Sequence, residues 1–326
     1  MSVMDNERAK SGQKYAELLC DFMFKRLFGS EANKDVLIWF LNMILEDVHI
    51  EEVNFIPTEH LGETEEDRTV IFDISCRCRN GETLIIEMQN GFQKHFRKRA
   101  LYYTTYPINE QGRHARELYI KKKAEGIADV KFEWDYNLKP VTVVAILNFR
   151  FTHDDDWPEE KFRSSYRLRE DSCDEIMTDV LRFVFLELGR FKKRIWGLET
   201  VFDKWMYLMK HMHKMVEIPK EFCDSMFTRL FLLAEIDNFT AEEYEQYKKS
   251  LENMGDYQNI INTAVEEATR IATEQGLEQG LEQGLEKGMA KERVSIAKRM
   301  LAGGMPVEQV MEFTELSIEE IESFKK

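Results

Sequence analysis

Apolar positions recur along the chain in distinct periods, and these periods predict its secondary structure. Steps of three and four residues predict amphipathic helices over residues 14–28, 35–46 and 92–111. The same helical character, with dense aromatic side chains, is predicted throughout residues 174–234. A short continuous apolar run at residues 140–151 is rich in β-branched side chains, which predicts a buried strand. This mixture of helices and strands predicts an α/β (α+β) fold.

Strict alternation over residues 69–89 predicts a β-hairpin with one apolar and one polar face. A two-residue loop at the Asn-Gly pair would mix apolar and polar residues on one face, which a half-buried sheet forbids. A three-residue loop over residues 79–81 keeps the apolar sets together and places Gly81 at the left-handed position of a bulged turn. That register pairs Asp73 with Glu87, so the hydrophobic pattern predicts two opposed carboxylates.

Composition favours a soluble protein of the cytoplasm. The 326 residues are 43% hydrophobic and 32% charged, no apolar run reaches membrane-spanning length, and the first residues lack the apolar stretch of a signal peptide. We therefore expect no membrane partner. The five cysteines include no CxxC pair, so neither a disulfide framework nor a zinc site is expected. Cys76 and Cys78 are predicted to be core thiols.

Charge is distributed unevenly along the chain. The net charge of −15 argues against a protein that coats nucleic acid through bulk attraction. Residues 46–67 are acidic and predict a loop with a short strand at VNFI. Residues 91–123 carry an excess of Lys and Arg, which is typical either of a face that binds a phosphate backbone or of a solvated helix face.

The opposed pair, Asp73 and Glu87, suits metal-assisted hydrolysis of a phosphodiester. Like charges directly across a hairpin destabilise it unless something compensates them, and a divalent cation would do so. Mg²⁺, with Mn²⁺ as the alternative, is commonly held by one or two carboxylates together with water and phosphate. Gln89 points to the same face and would orient the attacking water. The alternative interpretation is that these are solvated polar residues on an exposed strand face.

Three residues of the following helix are candidates for DNA contacts. Arg97, Arg99 and Tyr103 lie just after the hairpin and would contact phosphate. The alternative is that Arg99 pairs with an acidic neighbour and the tyrosines pack in the core.

The last part of the chain has a different character. A four-residue repeat places glycines at 276, 280, 284 and 288, which predicts either a hinge or helices that associate closely in a homo-oligomer. Three short helices are predicted for the tail, with a break at Gly303-Gly304 and a capping box that begins at Ser317. The tail has the size of a helix-turn-helix. Its last helix is acidic, which favours protein contact over DNA contact.

Several motifs together resemble the PD-(D/E)XK nuclease family transposases, also called recombination-promoting nucleases. They are DFMFKRLFG (21–29), IFDIS (71–75), RNGE (79–82), IEMQN (86–90) and RALYY (99–103). The glycine repeat and the helical tail are similar to C-termini in that group. The resemblance covers roughly residues 15–326.

The resemblance implies a bacterial, Mg²⁺-dependent DNA endonuclease with a restriction-endonuclease-like core. That core is a mixed central sheet flanked by helices, followed by a helical C-terminal region. Asp73 and Glu87 would be metal ligands, the carbonyl of Met88 a further ligand, and Gln89 would stand where the superfamily has lysine. Asp21 is a weaker candidate for an acidic residue near the site, with helix capping or a surface role as the alternative.

Two departures from the superfamily pattern bear on turnover. Phe72, rather than proline, precedes Asp73, and Gln89 lacks the cation of a lysine. The alternative function is therefore a weak or inactive nuclease-fold protein that acts as an oligomeric regulatory or DNA-binding scaffold. A link to recombination or transposition rests on the family name alone.

Four regions are predicted along the chain. Residues 1–155 form the nuclease core, and residues 156–272 a helical extension packed on it. Residues 273–290 form the glycine repeat, as helix or hinge, and residues 291–326 a small tail that is helix-turn-helix-like.

Overall fold

The computed structural model of the chain describes residues 13–60, 70–127, 131–132 and 134–323, apart from the side chains at positions 60, 258 and 261. The strands in these ranges are β1 (Val53–Phe55), β2 (Glu59–His60), β3 (Val70–Ile71), β4 (Ile74–Cys78), β5 (Thr83–Gln89), β6 (Val141–Leu147), β7 (Arg163–Arg167) and β8 (Leu181–Glu187). The α-helices are α1 (Asp21–Phe28), α2 (Lys34–Ile44), α3 (Phe96–Ala124), α4 (Val201–His211), α5 (Ser225–Ala234), α6 (Ala241–Ala302), α7 (Val307–Thr314) and α8 (Ile318–Ser323).

A mixed six-stranded sheet lies at the centre of the fold, with strand order β1-β4-β5-β6-β8-β7. Strands β5, β6 and β8 run parallel, while β1, β4 and β7 are antiparallel to their neighbours. The last residues of the three parallel strands, Gln89, Leu147 and Glu187, are in register, so the strands end at one common edge. The predicted mixed sheet flanked by helices is confirmed.

The predicted hairpin register is also confirmed. Ser75 pairs with Ile85 in the antiparallel ladder of β4 and β5, which is the register that turns Asp73 toward Glu87. Gly81 has φ of 90°, and its amide donates to the carbonyl of Cys78 at 2.9 Å across the three-residue loop. A side chain at position 81 would be strained at this φ.

The hairpin has the predicted apolar and polar faces, but much of the polar face, including Ser75 and Glu87, is buried as well. One face contributes Ile74, Cys76 and Ile86 to a core shared with α1, α2, α4 and α5. The opposite face contributes Ile85 to a second core shared with α3. Phe72 joins this second core instead of the first, because the strand is interrupted between β3 and β4. Cys76 and Cys78 are buried free thiols, as predicted.

The prediction of continuous helix over residues 174–234 was wrong. Residues 181–187 form β8, which lies between β6 and β7, and α4 and α5 follow it. Phe183 and Phe185 pack on the α3 side, while Val184 and Leu186 pack on the other side. A strand that is apolar on both faces has no alternation, so its pattern resembles that of a buried helix.

Helix boundaries differ from the pattern at several places. The first helix begins at Asp21 rather than near residue 14, because the preceding segment forms backbone hydrogen bonds with the end of α5 and the residues just after it, among them Ala16 N to Ala234 O at 2.8 Å. Helix α3 starts later than predicted and continues through Pro107 to Ala124. The helix predicted at 35–46 and the strand at 140–151 are confirmed as α2 and β6.

In the predicted acidic loop, the strand at VNFI is confirmed as β1, while residues 61–69 lie outside the described residues. No helix in the described ranges is both long and apolar enough to cross a lipid bilayer.

The contacts divide the chain into two compact units, residues 1–258 and 259–326. In the second unit the glycine repeat is helical and belongs to α6, and α7 and α8 follow. Ala297, Val310 and Ile321 form its small core. The capping box is confirmed, since Ser317 N donates to Glu320 Oε2 at 2.8 Å and Glu320 N donates to Ser317 Oγ at 3.3 Å.

Candidate active site

The two carboxylates predicted to face each other are tied together through the backbone. Asp73 lies in the break between β3 and β4, and Glu87 lies near the end of β5. The amide of Asp73 donates to Glu87 Oε1 at 3.2 Å, and the amide of Met88 donates to Asp73 Oδ2 at 2.8 Å. Each carboxylate thus accepts a hydrogen bond from the strand that carries the other one, which fixes both side chains.

Burial strongly perturbs this pair. The Glu87 side chain is only 2% exposed. Loss of solvation, followed by the charge of Asp73, raises the pKa of Glu87 to about 8. Loss of solvation also raises the pKa of Asp73, although the hydrogen bond from Met88 acts in the opposite direction. The site therefore holds two carboxyl groups that resist carrying two negative charges at once.

Gln89 lies two positions beyond Glu87, and both the nitrogen and the oxygen of its side-chain amide form hydrogen bonds. Its Nε2 donates to Glu87 Oε2 at 3.4 Å, and its Oε1 accepts from Gln93 Nε2 at 2.8 Å. Gln93 was not singled out from the sequence. Gln93 lies beyond the end of β5, so no strand or helix period predicts that its amide would meet that of Gln89.

The residues predicted to contact DNA occupy different environments. Arg99 places its guanidinium 4.0 Å from Glu87 Oε2, and its buried Nε makes no hydrogen bond within the described ranges. Tyr103 packs edge-on against Phe72, with ring centroids 5.2 Å apart. These are the contacts that the packing alternative predicts for both residues. Arg99 therefore supplies a positive charge to the carboxylates themselves.

Arg97 is the exposed member of the three. Its guanidinium lies 4.3 Å from the centroid of the Phe151 ring and 3.3 Å from His153 Nδ1. The opposite nitrogen of His153 contacts the buried Glu187 at 2.7 Å. This chain of contacts holds Arg97 at the start of α3, beside the edge where β8 ends.

Asp21 is the first residue of α1 and is exposed. It forms an ion pair with Lys25 at 2.8 Å, and its charge is close enough to raise the pKa of Asp73. The structure thus brings Asp21 near the carboxylate pair, on the opposite wall of a shared cleft.

That cleft, here called the carboxylate cleft, has a volume of about 900 Å³. Asp73, Met88 and Gln89 lie on its sheet wall. The other walls come from α1 and α6, and they include the cations Lys25, Arg26 and Lys249. The sequence analysis gave these cations no role: Lys25 and Arg26 lie in the motif at 21–29 but far from the hairpin along the chain, and Lys249 lies in α6, where no local motif marks it.

The donor set fits a hard divalent cation. Asp73 and Glu87 offer carboxylate oxygens, which hard divalent cations prefer, and a cation would offset the loss of solvation that raises the pKa of both groups. The carbonyl of Gln89 accepts from Asn148 N at 2.8 Å, so the Gln89 backbone faces β6 and the Met88 backbone faces Asp73. The described residues contain no cluster of three or more Asp, Glu, His or Cys side chains suited to a metal, so water or phosphate would complete the coordination.

A mixed sheet between helices, with an acidic pair and a glutamine at the edge where its parallel strands end, defines a PD-(D/E)XK-type core. Over residues 18–264 the sequence matches the family described as PD-(D/E)XK nuclease family transposase, and the chain belongs to that family. Residues 290–326 match the C-terminal HTH domain of the Rpn/YhgA-like nuclease family. The family predicted from the motifs is thereby confirmed. No curated protein and no solved structure matches the chain.

Proposed function

We propose that the protein is a Mg²⁺-dependent DNA endonuclease that hydrolyses phosphodiester bonds in the carboxylate cleft. The observation that carries the proposal is the hydrogen-bonded pair of the half-buried Asp73 and the buried Glu87. Loss of solvation raises the pKa of both acids, and the charge of Asp73 raises that of Glu87 further, so a cation bound between them would stabilise the pair. Family membership supports the same chemistry.

In this proposal Asp73, Glu87 and the Met88 carbonyl would hold the ion, which would supply activation of water and neutralisation of charge on the phosphate. Gln89 orients the attacking water, because its amide is fixed by Glu87 and Gln93. A glutamine amide cannot accept the proton at neutral pH, so it acts by position.

The cations of the α1 and α6 walls have a separate role. Lys25, Arg26 and Lys249 line the cleft and would hold the phosphate backbone on either side of the scissile bond. The guanidinium of Arg99 would offset the negative charge of Glu87 and so reduce the repulsion between the two carboxylates before the ion binds.

The remaining expectations belong to the same proposal. DNA is the partner, and the HTH match of the tail supports that assignment. Self-association through the glycine repeat, a cytoplasmic location in a bacterium, Mn²⁺ as an alternative ion and a link to recombination follow the sequence interpretation. The four regions predicted along the chain are retained as a proposal, although β7 and β8 of the second region are part of the central sheet.

A second candidate is a non-catalytic scaffold on the same fold. The observation in its favour is the position of Gln89, which is occupied by hydrogen bonds and brings no cation to the reacting phosphate. Such a protein would bind DNA and divalent ions without turnover.

Cleavage of supercoiled plasmid decides between the two candidates. We expect nicking or linearisation with Mg²⁺ or Mn²⁺, no cleavage with EDTA, and a loss of at least 100-fold in the Asp73→Asn variant, because one ion ligand is removed. Asp171→Asn, which changes an exposed acid outside the cleft, is the matched control and should cleave normally. A folded wild-type protein that binds DNA and cleaves with neither ion would establish the scaffold instead.

A further inference from the structure

Three adjoining clefts follow the edge of the sheet where the parallel strands end. The carboxylate cleft shares Asn90 and Met254 with a second cleft of about 340 Å³. The second cleft shares Lys210 with a third one of about 550 Å³. All three lie within the first compact unit. A continuous surface path therefore leads away from Asp73 along the sheet edge.

The far end of this path is basic and aromatic. Arg150, Arg194 and Trp196 line the third cleft and are here called the tryptophan platform. The Trp196 side chain belongs to a residue that is 76% exposed, and the Arg194 guanidinium lies 5.3 Å from the centroid of its ring. The face of such an open indole, beside a guanidinium group, is available for stacking.

The platform has a net positive charge that its neighbours do not neutralise. Neighbouring Lys192 and Lys193 form ion pairs with Glu159 and Asp203 respectively. In contrast, Arg150 donates to a backbone carbonyl, that of Gly189, at 2.8 Å. Within the described ranges, neither Arg150 nor Arg194 forms an ion pair with a carboxylate. The chain has a net charge of −15, so these two guanidinium groups beside an exposed indole form a positive site on an otherwise acidic protein.

Lys210 fixes a further positive charge where the second and third clefts meet. Its Nζ donates to the carbonyls of Leu188 at 2.9 Å and Phe191 at 2.8 Å. These two carbonyls use two of its three donors and leave one for a ligand in the cleft. The path thus has cations at its start, middle and end, at a single edge of the sheet.

We infer that the tryptophan platform binds an unpaired nucleic-acid strand that extends from the carboxylate cleft past Lys210. An exposed indole offers its face to a base, and a base can stack there only when it has left a duplex. The guanidinium groups of Arg150 and Arg194 would contact the phosphates on either side. The inference rests on the proposed function, since the unpaired strand would belong to the same DNA substrate that is cleaved in the carboxylate cleft.

Binding of tailed and blunt duplexes tests this inference. The full-length chain carries Asp73→Asn to prevent cleavage, and fluorescence anisotropy gives Kd for a blunt DNA duplex and for the same duplex with a single-stranded extension. We expect the extension to tighten binding about tenfold or more, as one or two stacked bases would. Arg194→Glu combined with Trp196→Ala should abolish that gain and change the blunt duplex little, while Trp196→Phe should retain most of it.

A matched pair at the opposite edge of the sheet provides the control. Arg79 lies in the turn before β5 and Tyr136 precedes β6, and both are strongly exposed. Arg79→Glu combined with Tyr136→Ala removes the same kinds of side chain and should leave the tenfold gain unchanged. An equal loss in the control would show general charge attraction and overturn the platform.

The dependence on salt separates phosphate contacts from stacking. For the tailed duplex, Arg150→Glu combined with Arg194→Glu should lower the slope of log Kd against log salt by roughly one to two, since each phosphate contact to a single strand contributes about 0.7. If the single-stranded extension tightens binding equally in the wild type and in the platform variants, this inference alone is overturned. A protein that binds neither duplex would overturn the proposed function together with it.

Discussion

At the residue scale, the pair Asp73 and Glu87 has the largest consequences for stability. Both acids are hydrogen-bonded, Glu87 is buried and Asp73 half-buried, and the charge of Asp73 makes ionisation of Glu87 harder. The geometry follows from a hairpin register that the hydrophobic pattern specifies, so this part of the site could be predicted from sequence. The compensating charge of Arg99 could be suspected from its nearness in the chain. The cations Lys25 and Lys249 could not, because long-range packing places them.

The raised pKa of Glu87 has a definite sign in pH-dependent stability. The unfolded carboxyl ionises near pH 4.5, whereas the folded one keeps its proton until about pH 8. The contribution of Glu87 to stability is therefore fully present below pH 4.5 and is lost as pH rises toward 8. In EDTA, we expect Glu87→Gln to exceed the wild type in free energy of unfolding by about 2–4 kcal/mol at pH 8.5. The difference should be smaller at pH 6.

Urea denaturation at the two pH values measures this difference. Glu52→Gln changes an exposed acid and serves as the control, with no expected gain at either pH. A Glu87→Gln variant less stable than the wild type at pH 8.5 would show that the ionised carboxylate is favoured in the fold. In that case a bound cation would not be needed to explain the pair.

At the scale of elements, local patterns predicted the segments that carry a clear period, a β-branched run or a helix-end signal. Helix α2, strand β6 and the Ser317 capping box were predictable, since their patterns and end signals are local. Strand β8 was not, because, unlike β6, it has a single β-branched residue, Val184, and it lies in a stretch dense in aromatic side chains. The late start of α1 was also not predictable, because backbone hydrogen bonding between Ala16 and Ala234 outweighs helix propensity in the preceding segment.

The glycine repeat of α6 supports a test at this scale. Nothing lies within 4 Å of a Cβ added at Gly276, Gly280, Gly284 or Gly288, so alanine fits the helix within one chain. Each replacement should stabilise the helix by roughly 1 kcal/mol. If two copies approach across these glycines, as proposed, alanine should also separate them. We expect the fourfold alanine variant to gain helix in circular dichroism and to lose mass in light scattering.

Alanine at Gln275, Gln279 and Gln283 is the matched control, because it changes the same turns and leaves the glycines in place. It should retain the wild-type mass. An unchanged mass in the glycine variant would count against close helix approach. The exposed Leu277, Leu281 and Leu285, at 67%, 75% and 65%, would then need another explanation.

At the scale of the whole molecule, the two compact units suggest that folding of the core and self-association reside in different parts of the chain. The first unit contains the sheet, both of its cores and the carboxylate cleft, so it should fold without the repeat. We expect deletion of residues 273–326 to lower the oligomeric state while the remaining chain stays folded. Light scattering measures the mass and circular dichroism the fold. A truncated protein with the wild-type number of subunits would place the association in the first unit instead.

If the proposed ion binds, the hydrogen-bonded acids would also couple the lifetime of the protein to its ionic surroundings. A ligand that binds only the folded state stabilises it by about 2.7 kcal/mol at a hundred times its Kd. An ion bound between Asp73 and Glu87 would give this stabilisation and also remove the repulsion within the pair. When free magnesium falls, the chain would open more often and be exposed to proteases. The enzyme would then be degraded fastest under the same conditions in which it cannot cut DNA.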